Sequence, residues 1–386
     1  MRAAIWTGAS RKPSQNPSLD GSRPSSPREP PGAFLENRRL PSRERRDRIV
    51  HLTSRRHLLL ASLGTACARK RNGAVLTVFT WAGPWSQTFE RFLKPLFETA
   101  TGATVLFDNG WGEEIPKLLV APPDQPPYDV MIVAPFQVYP LIRQGHFARL
   151  DFGKIPNLRG FSPDALDNWV AREQWGLTWP DAMHTGVYRT DLRPSAPQRL
   201  EDFLAMSPGL YRASYMSLYT FAAMGWPGRA AEAIEQDFES VFQYARERRR
   251  KIRQWWSTSP DMAFHLLQGN VTCGNIHSVD VFPMFAAQRP VDVLLTPDRA
   301  HFQAIWLVPK GTRHSALAHE FLNQFASIQF QGAYAAAGFP TPVAEAAPAD
   351  PLWKRLYSQR ARYYPYDAYV KHWNSMTERW NREVLV

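Results

Sequence analysis

LTVFTWAGPWSQTFERFLKPLFETATGATVLF, residues 76–107, reads as one complete βαβ unit, and this reading decides the fold class. Leu76, Val78 and Phe79 with Thr77 and Thr80 form a short β-branched and aromatic run that suits a buried strand. Ala82-Gly83-Pro84 breaks it. Ser86 then offers an N-cap, Phe89, Phe92, Leu93, Leu96 and Phe97 recur at helical spacing, and Gly102 closes the segment before a second apolar run. Lys94-Pro95 predicts a bend or division of that helix, because proline has no N–H and its ring crowds the carbonyl four residues back. Two strands joined by one helix lie parallel with a right-handed crossover. The loop 81–85 therefore belongs at the carboxyl edge of the sheet, where open parallel sheets take ligands.

Working outward, 104–108 is the second strand and 113–120 a short helix interrupted by Pro116. Asp129-Val130-Met131-Ile132-Val133 is a continuous apolar run, as in a sheet covered on both faces, and Ala134-Pro135-Phe136 opens a helix carrying Val138, Leu141 and Ile142. Residues 174–189, QWGLTWPDAMHTGVYR, look extended and rich in ligand groups. Helices are expected at 200–206, in two further segments of which the longer runs over about 235–256, and again from Ser259-Pro260-Asp261 with Ser259 as N-cap. Residues 291–295 and 302–308 read as strands and 314–326 as a helix with Leu317, Phe321, Leu322 and Phe325 inward. Gly338-Phe339-Pro340 ends the regular pattern before a tail rich in Trp and Tyr. The alternation of strands and helices makes the chain α/β.

With 386 residues, 44% of them hydrophobic, the chain can bury a large core and suggests two domains. The formal charge of +11 lies wholly in residues 1–73 and the remainder is balanced, which excludes nucleic-acid binding as a primary function. Cys67 and Cys273 are the two cysteines, too few for a disulfide framework or a cysteine-rich zinc site, and Cys273 reads as a small buried apolar residue. No cofactor or metal is expected. Residues 1–53 are rich in Pro, Ser and Arg without apolar periodicity, the composition of a disordered segment. Residues 54–68, SRRHLLLASLGTACA, have the order of charge, short apolar run and small residues that marks an export signal, and Arg55-Arg56 resembles a twin-arginine signal. Cys67 is placed to be a lipidated first residue, although Leu63 stands one position too far upstream for a good lipobox.

TWAGPW, FLKPLFETATGATV, YDVMIVAP, WGLTWPDAMHTGVYRTD and LVPKGTRHSALAHEFLNQF, collinear from Leu76 to Val343, resemble the bacterial solute-binding proteins of ATP-binding-cassette (ABC) importers. The resemblance is to the branch that contains the spermidine and putrescine binders. It implies a two-lobe periplasmic binding protein fold of the class II type, with mainly parallel sheets flanked by helices and a hinge of crossing strands. Lobe 1 would comprise 74–186 plus 305–345, lobe 2 residues 187–304, and 346–386 a helical tail packed on both. It further implies a monomeric, non-enzymatic periplasmic receptor that holds a small solute in the cleft and offers it to a permease in the inner membrane.

The expected ligand-binding residues follow from both readings. Trp81, Trp85 and Trp111 come at strand ends, where indole faces could grip aliphatic stems or an ammonium by roughly 0.5–2 kcal/mol per contact, with simple packing as the competing role. Phe136 and Phe302 are aromatic members of the same expected cleft. Asp181 and His184 lie on the presumed crossing strand, and His277 and Asp280 in GNIHSVD fall where the family places contacts from lobe 2, although interlobe hydrogen bonds need polar groups as well. Ser214 and Tyr215 stand where the polyamine binders carry a second-lobe carboxylate; Ala304 and Asn275 are further departures, and Arg212 would suit an anionic solute. The run 246–253, RERRRKIR, is a solvated helix face or a permease contact. The competing classes are an exported α/β hydrolase or transferase and a sensor or scaffold that kept the fold. The chain has no G-x-S-x-G, H-E-x-x-H, phosphate loop or G-x-G-x-x-G, and His319-Glu320 is followed by FLNQ.

Overall fold

A computed structural model of the chain describes residues 73–192, 195–359 and 362–386. The basic leader, the segment 54–68 expected to be an export signal and Cys67 lie outside the described residues. Among the described residues nine strands form one mixed sheet: β1 Val75–Trp81, β2 Thr104–Gly110, β3 Val130–Val133, β4 Gly176–Arg189, β5 Pro208–Tyr211, β6 Gln254–Trp256, β7 Cys273–His277, β8 Val291–Leu294 and β9 Ala300–Leu307. Their order is β2-β1-β3-β9-β4-β7-β5-β6, with β8 also on β4.

The opening βαβ unit forms as read. β1 pairs β2 in parallel from Val75↔Thr104 to Trp81↔Gly110, and β3 on its other side. The helix starts earlier than expected, at Pro84, and its N-cap is Gly83 rather than Ser86. Gly83 has φ 87°, a left-handed backbone that lets the chain leave the strand and enter the helix through the two-residue turn Ala82-Gly83. The Ser86 hydroxyl turns back to donate to the Gly83 carbonyl at 3.1 Å. The division expected at Lys94-Pro95 appears just before it: Phe89–Leu93 is a π-turn and a regular helix resumes over Lys94–Thr101. A widened turn gives the Pro95 ring room against the carbonyl four residues back. Pro116 does not interrupt its helix, Glu114–Val120, because it sits in the first turn, where N–H groups have no intrahelical partner.

β4 and β9 carry the sheet from one half to the other. All 14 residues of β4 are buried. Its first part pairs antiparallel with β9, which in turn pairs β3, and its second part pairs β7 and β8. The β4/β9 register shifts between Pro180↔Gln303 and Met183↔His301, one extra residue on β4, so Asp181-Ala182 is a bulge that bends the strand.

The second half of the sheet departs furthest from expectation. The helix expected to reach residue 256 ends at Arg248, and Gln254–Trp256 is instead β6, parallel to β5. Residues 200–206 form a 3₁₀ segment, Leu200–Ala205. The helix Ser259–Leu267 is capped by Thr258, not Ser259, and the Thr258 N–H donates to the Asp261 carboxylate at 3.0 Å. β5 and β7 approach so closely that a Cβ on Gly274 would lie 1.8 Å from the Gly209 carbonyl oxygen.

The tail after Pro340 is helical, with Pro351–Tyr357 and Tyr366–Arg379. The second of these stacks Trp373 on Phe136 of the helix Pro135–Arg143 at 4.2 Å. It also donates the Tyr369 hydroxyl to the Tyr215 carbonyl of the helix Ser214–Gly225 at 2.7 Å. Just beyond it, Trp380 Nε1 donates to the Arg212 carbonyl at 2.9 Å.

Candidate functional site

A cavity of about 210 Å³ opens beyond the carboxyl ends of β1 and β2, against the bulge in β4 and the end of β7. Nine of the expected residues line it: Trp81, Trp85, Trp111, Phe136, Asp181, His184, Tyr215, His277 and Phe302. Ser214 and Asp280 do not. Ser214 is buried as the first residue of its helix, and Asp280 lies in the turn after β7 with a carboxylate oxygen 3.7 Å from His277 Nδ1. Ser214 adjoins the wall residue Tyr215 in sequence and Asp280 follows His277 by three positions, but neither lines the cavity itself.

The indoles are mutually ordered. Trp81 and Trp111 are parallel within 1° at 6.2 Å, and Trp85 stands at 89° to both, 6.0 and 5.6 Å away. Trp81 meets the edge of Phe302 at 5.4 Å, and Phe136 packs on Tyr215 at 4.9 Å. Trp111 is 55% exposed while Trp81 and Trp85 are buried, so one ring of the three faces solvent.

Asp181 lies on the bulge and is 1% exposed. Its carboxylate accepts from Trp85 Nε1 at 2.8 Å and from the Tyr334 hydroxyl at 2.6 Å. Burial pushes its pKa up to about 6, against the pull of those two donors and of nearby His277. His184 is held through Nδ1 by the Tyr364 hydroxyl, and among the described residues its Nε2 has no hydrogen-bond partner. Burial, with His277 and His301 as positive neighbours when protonated, keeps the His184 imidazole neutral well below its ordinary range. Its ring lies 4.7 Å from that of His277.

Besides the small Gly112, Ala134 and Ala182, three polar wall residues escape sequence reasoning: Glu114, Gln137 and Tyr211. Tyr211 ends β5, a strand the sequence does not announce. Glu114 is fully buried at the start of its helix. Gln137 Nε2 donates to one of its oxygens at 3.3 Å, and among the described residues the other oxygen has no partner in good hydrogen-bond geometry. Burial raises its pKa, and hydrogen bonding from the backbone N–H groups of Glu114 itself and Gly112, with a smaller share from Gln137, opposes this only in part. Asn275, one of the departures noted above, has a structural place. Its Oδ1 accepts from the Tyr211 N–H at 2.8 Å and Trp256 Nε1 at 3.2 Å, and its Nδ2 donates to Thr220 and Ser217. That one amide ties β5, β6, β7 and a helix together.

Among the described residues no cluster of three or more His, Cys, Asp or Glu gathers as a metal site, and no helix is long and apolar enough to cross a membrane.

No protein-family profile and no curated protein matches the chain. Solved structures share its fold at low identity. A GABA receptor aligns at 16% identity over 79% of this chain and 96% of its own, with a TM-score of 0.69. An ABC transporter substrate-binding protein from Bradyrhizobium japonicum USDA 110 aligns at 16% over 80% and 99%, with a TM-score of 0.66. The spermidine/putrescine ABC transporter substrate-binding protein PotD from Streptococcus pneumoniae aligns at 14% over 80% and 99%, with a TM-score of 0.62. The α/β fold of this chain, a sheet flanked by helices with two crossing strands, is thus the fold of two-lobe solute-binding proteins.

Proposed function

We propose that this chain is the solute-binding receptor of an ABC importer, which captures a small polar organic solute, polyamine-like or another organic ion, and delivers it to a membrane permease. The observation that carries this reading is the composition of the cavity wall. Trp81, Trp85 and Trp111 come from the β1–β3 half of the sheet, Tyr211, Tyr215 and His277 from the β5–β7 half, and β4 and β9 pass between the halves. A site shared by two halves that are joined through a few strands is suited to closing on its ligand by a hinge motion. On this reading lobe 1 is 74–186 with 305–345, lobe 2 is 187–304, and 346–386 is a strap across both. The neighbours of the same fold, which bear the names of GABA and spermidine/putrescine proteins, support it. At about 210 Å³ the cavity is smaller than the range of roughly 300–1,000 Å³ common for drug-sized ligands, so the solute is small.

The protein acts as a monomer in the periplasm, reached through the twin-arginine-like signal at 54–68, with lipidation of Cys67 as the variant of that route, and it turns nothing over. Calorimetric titration of the purified chain with small amines, amino acids and carboxylates tests this. Saturable one-to-one binding is expected, with compaction seen by X-ray scattering and the solute recovered unchanged by NMR. Conversion of the solute to a product would instead establish the exported-enzyme alternative.

A further inference from the structure

Two carboxylates stand in the wall of the aromatic cavity, and their surroundings differ. Asp181 has both oxygens engaged by protein donors, Trp85 Nε1 and the Tyr334 hydroxyl. It already serves to fix Trp85. Glu114 is buried as completely and faces the backbone N–H groups of Glu114 itself and Gly112, yet among the described residues its side-chain donor is only the long Gln137 contact to one oxygen, and the other oxygen has no partner in good hydrogen-bond geometry. Leaving an acceptor buried without a donor is unfavourable, and more so for one that carries charge. The protein relieves this only in part from within: among the described residues no Lys or Arg lines the cavity. The opposite wall offers His184, neutral and with a free Nε2, rather than a second cation.

The geometry points to Glu114 as the charge-selecting residue of the cavity, receiving the ammonium group of a small amine solute beside the indole rings of Trp81 and Trp111. This rests on the receptor reading above and narrows it to a chemical class. Indole faces attract cations through the ring quadrupole, and Trp111, three residues before Glu114, is the half-exposed ring that an entering solute meets. An ammonium supplies the cationic donor that the Glu114 carboxylate lacks among the described residues, and the aromatic wall covers the attached alkyl chain. A carboxylate solute at the same place would set two anions together in a buried site. The family-like sequence departures at Ser214, Tyr215 and Ala304 then cease to argue against a cation, because the countercharge comes from the start of the helix after β2 instead.

The test uses the full chain and four probes of similar length: butylamine, γ-aminobutyrate, glutarate and the neutral butanediol. Titration of the wild-type chain is expected to show binding of the two amines and none of glutarate. Glu114→Gln, which keeps the shape and the Gln137 contact, should weaken the amines by about 10- to 100-fold, the range for a hydrogen bond to a charged group. Any affinity for butanediol should stay as it is. In the wild-type chain itself, the ¹³Cδ resonance of Glu114 should move toward its ionised position as butylamine is added. Amine affinity retained in Glu114→Gln within about threefold overturns the assignment, as does a Glu114 resonance indifferent to saturating butylamine. Binding of glutarate but of neither amine also overturns it and leaves the receptor reading standing. A wild-type chain that binds none of the four probes removes the receptor reading as well.

Discussion

Trp85 and Asp181, 96 positions apart in the chain, are joined by a 2.8 Å hydrogen bond from the indole Nε1 to a carboxylate oxygen. The bond couples the helix that follows β1 to the bulge in β4, so the two walls that meet at the cavity hold each other. Replacing Trp85 by Phe keeps an aromatic ring but leaves that oxygen buried without its donor. Urea denaturation should show a loss of about 1–3 kcal/mol, the cost of orphaning a buried polar group. An unchanged midpoint would mean that the bond contributes nothing.

Asp181→Asn makes a prediction about pH. Burial raises the Asp181 pKa from 3.8 to about 6, so the folded state holds the proton more tightly than the unfolded chain does. That contribution to stability is fully present below about pH 4 and is lost as pH rises through about 6. At pH 7.5 the ionised carboxylate is therefore a burden of roughly 3 kcal/mol, from about 1.4 kcal/mol per pKa unit. Asn can still accept from Trp85 and donate to Tyr334. The melting temperature of the variant minus that of the wild type should rise from pH 4 to pH 7.5. His184 and His301, whose lowered pKa values act in the opposite sense, occur in both proteins and cancel from the difference. A difference that is flat with pH would contradict the assigned shift.

Gly274→Ala should separate β5 from β7. The new Cβ would stand 1.8 Å from the Gly209 carbonyl oxygen, which is backbone and cannot rotate aside. A cost of about 3 kcal/mol or more is expected, at the high end for overpacking. Hydrogen exchange should report it first at the β5 and β7 amides, while β1 and β2 keep their protection.

Trp373→Ala removes the 4.2 Å stack on Phe136. A stacked aromatic pair gives about 0.5–1.5 kcal/mol beyond its buried area, and the half-buried indole adds part of its transfer energy, so a loss of about 1–3 kcal/mol is expected. Chemical denaturation followed by the remaining tryptophans would measure it. A variant as stable as the wild type would show that the tail only rests on the helix Pro135–Arg143.

The first half of the fold was legible because it is built from long runs whose periodicity has one reading. The β-branched and aromatic β1, the apolar β3 and the 14-residue β4 announce themselves. The second half was not, for a physical reason. β5, β6 and β7 are three to five residues long; β5 contains Pro208-Gly209 and β7 Gly274, residues that weaken a strand on propensity alone, and the three residues of β6 are too few to show a period of their own. They are strands because they pair with one another and because Asn275 ties them together. In the cavity wall, aromatic residues at strand ends could be read from position. Glu114 could not: in sequence it is one of two adjacent acids at a helix start, the commonest place for an exposed carboxylate, and only tertiary packing buries it.

The extra residue at Asp181-Ala182 sets the phase of everything downstream in β4. Side chains along a strand alternate between its two sides, so the insertion reverses which ones turn inward from Met183 onward. A homologue lacking one position here would keep its amino-acid types and still withdraw His184 from the aromatic chamber. What such a relative could accommodate would differ, through counting rather than chemistry.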